Sequence, residues 1–332
     1  MTNLSLSENW RQARLRPDNG VWARVRSLGT LRVVFVVTLS VIYASLFLIT
    51  FLADIDPHER FRYNKDIVFN EDSMLAPGGV PGGVIESSGV MVYASPNEEH
   101  WLGNDERGRD LLVRLAYGAR TSLTTGLVCV TFFLIAGTSF GVIAGYFEGR
   151  WHSLFVYLFN IVNTFPILLL LLLAVIVIGA TVGVEFIFLR IYLLMACLGF
   201  FSSPKLAELI RGQISSLKET AFVQASVALG LKPYQIIGKH ILWYECRPLI
   251  VVQSAYMMGQ AILVETTLTY LNFGLEYPMV SWGLMFRSMA GGIMTGRFQP
   301  VIVMAAIALA VYFFHYLAGI LNDLLATEER RG

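Results

Sequence analysis

Charge is scarce in this sequence. Only 15% of its 332 residues are Asp, Glu, Lys or Arg, against roughly 25% in ordinary soluble domains, and the formal net charge is +1. So neutral a balance lacks the basic footprint of a nucleic-acid binder, and no nucleic acid is expected as a partner. Cysteine is sparse too. Cys129, Cys197 and Cys246 are scattered in or beside apolar runs without a CxxC, an odd and unclustered set that offers no disulfide framework and no zinc site; they read as buried small apolar groups. The five histidines, His58, His100, His152, His240 and His315, are dispersed, with no HExxH and no second ligand at helical spacing. No Walker A sequence occurs, so the chain cannot hydrolyse ATP by itself. An intramembrane aspartic protease needs two buried aspartates, and only Asp323 lies close to an apolar run. Neither a catalytic residue nor a metal nor a cofactor is expected on this chain.

Apolar runs are what is abundant, with 55% of residues hydrophobic. A membrane helix needs about 20 mostly apolar residues, and six candidates occur: 31–52, 121–146, 153–178 with Pro166 inside it, the shorter 185–201, 248–271 with Glu265 inside it, and 300–321. The first begins too far from the start and runs too long for a signal peptide. Six spans put both termini on one side. Arginines 11, 14, 16, 24 and 26 precede the first span, whereas 53–117 holds twice as many acidic as basic residues and 202–247 is basic again. The positive-inside rule therefore places the N-terminus and 202–247 in the cytoplasm. Arg287 and Arg297 are mild exceptions. The expected fold class is an all-α polytopic membrane protein with six transmembrane helices. Its expected parts are a cytoplasmic segment 1–30, helix 31–52, an extracytoplasmic insert 53–117, a core 118–323 holding the cytoplasmic loop 202–247, and a tail 324–332. The insert contains "LAPGGVPGGVIESSG" and is too turn-rich for an independent domain. It reads as a scoop on the outer mouth, or as a linker without fixed structure.

Between the fourth and fifth spans lies "ETAFVQASVALGLKPYQIIGKHILWY", Glu219 to Tyr244. Phe222, Val223, Val227 and Leu229 to Leu231 recur at roughly helical spacing. Gly230 and Pro233 mark a stop and a turn, and Ile236, Ile237, Ile241 and Leu242 suggest a second short helix. A short helix held between two spans can be gripped by a soluble partner, with Lys218, Glu219, Lys232 and Lys239 available to pair with its charges. It can also be an interfacial helix that only anchors the loop. Spacing alone leaves both open.

This stretch resembles the coupling loop of bacterial ABC importer permeases, Glu-Ala-Ala, three residues, Gly, nine residues, then Ile or His and x-Leu-Pro. The matching positions are Gln224, Ala225, Ser226, Gly230, His240, Leu242 and Trp243, with Gln for Glu, Ser for Ala and Trp for Pro. "HWLGNDERGRDLLVRLAYGARTSL", His100 to Leu123, resembles the entry to the second span of permeases in the dipeptide and oligopeptide importer family. Its matches include Gly103, Asp105, Arg109, Asp110, Arg114 and Arg120. "LVETTLTYLNFGLEYPMVSWG", Leu263 to Gly283, resembles the same family's fifth span, matching at Glu265, Gly274, Pro278 and Trp282 among others. The chain departs from the family at Tyr157 and Asn160, where Arg and Asp are usual, and at Glu208, usually basic.

The resemblance implies a type I ABC importer permease fold and a peptide cargo. The arginine-rich N-terminus and long insert are similar to the C-type subunit, with a lean toward the branch importing longer peptides such as microcin C. It implies a heterodimer with a second permease subunit, one or two cytoplasmic ABC ATPases carrying ATP and Mg, an extracytoplasmic peptide-binding protein, and residence in the bacterial inner membrane. The ATPase-coupling residues so implied are Gln224, Ala225, Ser226, Leu229, Gly230, Lys232, Pro233 and His240. Glu265 and Pro166 are pore or gate candidates: Glu265 must face the bundle interior or a wet cavity, or be held by a backbone group or the Thr266 or Thr267 hydroxyl, and Pro166 would kink its span. Asp105, Arg109, Asp110 and Arg114 form a charge run that is either a salt-bridge network fixing the scoop or a contact for peptide or binding protein. The alternative to an ABC permease is a proton-coupled secondary transporter using Glu265 as its relay.

Overall fold

The computed structural model describes residues 30–52, 57–58, 84–85, 91–98, 100–147, 149–218, 220–231 and 236–329. Expectations for 1–29, for most of the insert and for the last residues of the tail fall outside this description. The helices are α1 (Thr30–Leu52), α2 (Leu111–Tyr146), α3 (Arg150–Thr164), α4 (Ile167–Thr181), α5 (Ile187–Lys218), α6 (Ala221–Ala228), α7 (Arg247–Tyr270), α8 (Trp282–Met289) and α9 (Gln299–Glu329). A π-helix, Ile236–Cys246, runs directly into α7. The described strands are a two-residue antiparallel pair, Val84–Ile85 with Met91–Val92.

The core is the contact between α2 and α5. Gly137, Gly141 and Gly145 recur at every fourth residue and so share one face of α2. They meet Leu206, then Ala207 and Ile210, then Ile214 of α5. Both sets of numbers rise together, so the two helices are parallel. The backbones are in contact: a Cβ at Gly141 would lie 2.9 Å from the Ala207 carbonyl oxygen, and one at Gly199 2.1 Å from that of Cys129. Small residues at such a seam let helices approach where lipid supplies no hydrophobic drive.

Parallel neighbours require the chain between them to cross back. It leaves α2 at the far end, where His152 Nδ1 on α3 is 2.8 Å from the Ala144 carbonyl. It rejoins α5 at the near end, where Arg190 Nε donates to the Val182 carbonyl at 2.9 Å. Helices α3 and α4 therefore make the return crossing as a pair, bent by 90° between them. The sequence suggested one span kinked at Pro166, but the helix is broken there outright. Phe165 is extended (φ −80°, ψ 134°), as residues before proline prefer, and Pro166 becomes the N-cap of α4.

The remaining directions alternate. Helix α7 opposes α2, with Gly126 against Met258 and Ala261, and Ser122 against Glu265. Helix α9 opposes α7, with Gly259 beside His315 and Val252 clustered with Ala318. Helix α1 opposes α9, with the Phe35 and Tyr316 rings 5.4 Å apart and Tyr43 and Phe313 5.6 Å apart. Among the described residues four helices are long and apolar enough to cross a membrane, and the bent pair makes a fifth. The sixth crossing expected from the sequence would fall on α1, part of whose side chains are outside the description.

Helix α5 is longer than hydropathy suggested. It continues from 202 to 218 through what reads as loop, because Leu206, Ile210 and Ile214 stay fully buried against the α2 glycines. Gly199→Ala should lower the thermal unfolding midpoint of the detergent-solubilised protein, at a cost of about 1–3 kcal/mol for overpacking. Gly179→Ala on α4, where nothing lies within 4 Å of the added carbon, should leave the midpoint unchanged or raise it. Equal midpoints for both variants would argue against the close seam.

Candidate functional site

At the end of the bundle where α2 and α5 finish, the chain turns into α6. Gln224 N bonds the Thr220 carbonyl at 3.1 Å, starting the helix. Leu231 N reaches the Ser226 carbonyl at 3.2 Å and Gly230 has φ +80°, the Schellman ending that favours glycine. The turn thus requires the glycine for its backbone, and nothing lies within 4 Å of a carbon added there. Gln224 and Ala225 are exposed. Leu229 is 81% exposed at the tip, whereas Ser226 is buried and Val223 anchors the helix in the core. Lys232 and Pro233 lie outside the described residues, as does the side chain of His240 in the π-helix.

One correction concerns this loop. The second short helix expected after Gly230 is a π-helix fused to α7, with Ile236 and Ile241 buried in the main core. Lys218, which the sequence left available to a partner's charges, donates to the Tyr146 carbonyl and lies over the Tyr146 ring. It clamps the ends of α5 and α2 together.

The charge run lies at the opposite end, where the chain enters α2. The Asp105 carboxylate accepts from Arg109 Nε at 2.8 Å, and its Oδ2 lies 3.2 Å from Arg114 Nε. All three are buried. Asp105 Oδ1 also accepts the Arg107 and Arg109 backbone N–H groups, each at 2.9 Å. Glu106 pairs with Arg109 at 3.1 Å. Burial, then the neighbouring Asp105, raises the Glu106 carboxyl above its ordinary value, against the pull of its backbone hydrogen bond, Arg109 and Ser288. Asp110 is not part of this network. It caps α2 by accepting from Val113 N at 2.8 Å and pairs with His100 at 2.6 Å. The hub holds the described end of the insert, since Tyr93 N bonds the Asp105 carbonyl at 3.1 Å and Gln299 of α9 donates to the Ala94 carbonyl at 3.2 Å.

Glu265 is 1% exposed and faces the interior, but not the hydroxyls expected from the sequence. Thr267 bonds the Leu263 carbonyl, and Thr266 Oγ1 has no hydrogen-bond partner among the described residues. The donors to Glu265 are Thr269 and Ser281 at 3.0 Å each and Ser122 at 3.4 Å. Thr269 in turn accepts from Leu275 N, and Ser281 from Leu284 N. The carboxylate so ties α2, α7 and the loop into α8 together. Trp282, next to Ser281, bonds the Leu115 carbonyl at 3.0 Å. Pro166 sits at the elbow of α3 and α4, on the rim of a cavity of about 420 Å³ bounded by Phe165, Ile167, α5, α7 and α9. Lys205, Gln253 and Gln260 in its wall were not singled out from the sequence, although two glutamines seven positions apart share a helix face.

Residues 137–331 match the family model described as the inner membrane component of binding-protein-dependent transport systems. The chain belongs to that family. It is 35% identical to the dipeptide transport system permease protein DppC of Alkalihalophilus pseudofirmus, over 69% of this chain and 72% of the relative. It is 30% identical to the oligopeptide transport system permease protein OppC of Haemophilus influenzae, over 77% of this chain and 80% of the relative. The glutathione transport system permease protein GsiD of Escherichia coli O6:K15:H31 is 31% identical over 69% of this chain and 73% of its own length. The protein is thus a multi-pass permease subunit of an ABC importer, a transport component and not an enzyme.

The permease's buried clusters are open to test by substitution. Asp105→Asn, which leaves Arg109 and Arg114 buried without their carboxylate, should destabilise the chain by roughly 3–5 kcal/mol. Glu106→Gln should cost less. The folded hub binds the Glu106 proton more tightly than the unfolded chain does, so this group's contribution is present in acid and is lost as pH rises through its raised folded value. The Glu106→Gln variant should therefore gain on the native chain from acid toward neutral pH, as read by thermal unfolding at each pH; a constant gap would contradict this. Glu265→Leu, orphaning three hydroxyls at about 1–3 kcal/mol each, should reduce folded yield in size-exclusion profiles far more than Glu265→Gln. Equal loss in both would assign Glu265 a role for its charge.

Proposed function

We propose that this permease subunit forms half of the translocation pore of a peptide importer and couples that pore to cytoplasmic ATPases through α6. The peptide cargo rests on the relatives' names, and a lean toward longer peptides rests on the length of the external insert and on the stretch "ASPNEEHWLGNDERGRD". The other half of the pore is a second, unlike permease subunit. An extracytoplasmic binding protein delivers peptide to the mouth near the Asp105 hub, and one or two ABC ATPases carrying ATP and Mg grip the opposite end. Both termini then lie in the cytoplasm of a bacterial cell, as the positive-inside rule requires.

The observation that carries the coupling role is the exposed α6 tip on a rigid mount. Fully burying a leucine such as Leu229 is worth about 2 kcal/mol, and the mount passes a displacement to three long helices. Partner contacts bias the pore only where they differ between its states. A cleft that closes around Leu229 when the ATPases dimerise, and opens when they part, supplies that difference. The proton-relay alternative has no support in the family, and Glu265 is held by donors from three parts of the chain.

Affinity purification of the tagged chain from native membranes should recover a second permease subunit and Walker-motif ATPases; recovery of the chain alone would count against the assembly. In the reconstituted importer Gly230→Trp, which fills the open space at the turn, and Leu229→Asp should each cut ATP-driven uptake by at least about tenfold, equivalent to ~1.4 kcal/mol. Gly230→Asn, tolerated at positive φ, should retain most of it. Normal uptake by Gly230→Trp at normal subunit abundance would move the coupling surface elsewhere.

A further inference from the structure

We infer that Lys205 reads a carboxylate of the peptide in transit, holding it in the cavity between the α3–α4 elbow, α5, α7 and α9. The inference rests on the peptide-import reading and adds a selectivity element inside the pore.

The cavity encloses about 420 Å³, within the range of small-molecule sites. Lys205 lies about 20 Å from the Lys218 end of α5 at the usual helical rise. Its side chain is exposed on the cavity wall, where an ammonium calls for water or a counter-charge. Its own chain supplies no counter-charge: among the described residues no carboxylate lies within ion-pair distance of Lys205, and the cavity wall contains neither Asp nor Glu. Glu208, one turn along α5, instead accepts from Asn163 at 3.3 Å. The rest of the polar wall holds no carboxylate. Gln253 and Gln260 present amides that can both donate to and accept from peptide groups, and Tyr256 with its edge-on neighbour His315 forms an aromatic side. One exposed cation among neutral amides is the chemistry of carboxylate recognition on a peptide backbone. The carboxylate can be the C-terminus or an acidic side chain.

The test uses the complete importer in proteoliposomes and three radiolabelled peptides of equal length. One has a free C-terminus and no acidic side chain. The second is C-terminally amidated without an acid, and the third is amidated with one glutamate. Uptake by each variant is divided by uptake by the native complex for the same peptide, which cancels the selectivity of the binding protein. Lys205→Gln and Lys205→Glu should lower uptake of carboxylate-bearing peptides about tenfold and spare the amidated peptide without an acid, while Lys205→Arg keeps all three. Loss confined to the first peptide assigns the C-terminal carboxylate; loss confined to the third assigns the side chain. Equal loss for all three peptides, or native rates in Lys205→Glu, overturns the inference. So does loss of the second permease subunit on purification of Lys205→Glu, which would make Lys205 an inter-subunit ion pair. Failure of the native complex to import any of the three would instead overturn the peptide reading, and the inference with it.

Discussion

The seam of glycines between α2 and α5 is the contact on which the other positions depend. Two helices in lipid gain nothing from apolar surface alone, so their association needs shape. Gly137, Gly141 and Gly145 supply it by letting α5 approach until side chains of Leu206, Ile210 and Ile214 fill the groove. Since the helices are parallel, the chain must recross between them, and it does so in two short helices at a right angle. One stripe of small residues therefore sets the direction of α5 and obliges the break at Phe165 and Pro166. It also sets the level at which α3 lies across the ends of α2 and α5, with Phe155 and Phe159 on Phe140 and Ala207.

The same seam bears on the coupling role proposed for α6. Helix α5 outlasts its apolar stretch because Ile210 and Ile214 still have glycines to meet. It stops where Lys218 caps the end of α2 through the Tyr146 carbonyl, and α6 begins three residues later. On its far side the π-helix carries the chain without a break into α7. At the other end, Asp105 through Arg114 and Glu265 through Ser122 fasten the entry segment and α7 to α2. The long helices are thus tied near both ends, and a push on α6 moves a body, not a loop.

Much of this was legible in the residues. Gly230 before Leu-Lys-Pro announced a turn, and φ +80° is the conformation such a glycine serves. An acidic group amid apolar neighbours had to face inward, and Glu265 does. The misses have physical causes. Asp110 counted as a charge in a charged run, although Asp immediately before "LLVRL" is also an N-cap signal. Thr266 and Thr267 are next to Glu265 in sequence but point away from it around the helix, whereas Thr269, one turn on, shares its face. Ser122 and Ser281 come from distant segments, and no local pattern selects them. The end of α5 was misplaced because hydropathy drops at Lys205, Glu208 and Arg211, while the buried face of the same helix goes on unchanged.

That last miss separates two uses of polarity inside a span. Helix α4 shows lipid-like surface outward, with Leu169, Leu173, Ile176 and Val177 all exposed, and needs no polar group there. Lys205 and Gln260 are exposed as well and Gln253 is half-buried, and each polar group facing acyl chains would carry a penalty. Exposure in the single chain therefore stands for two environments, and composition tells them apart. Glu265 has its donors inside the chain, so its cost is met by the fold and it acts as an internal tie. Lys205 has no carboxylate within ion-pair distance among the described residues, and the proposed peptide carboxylate is what would meet its charge.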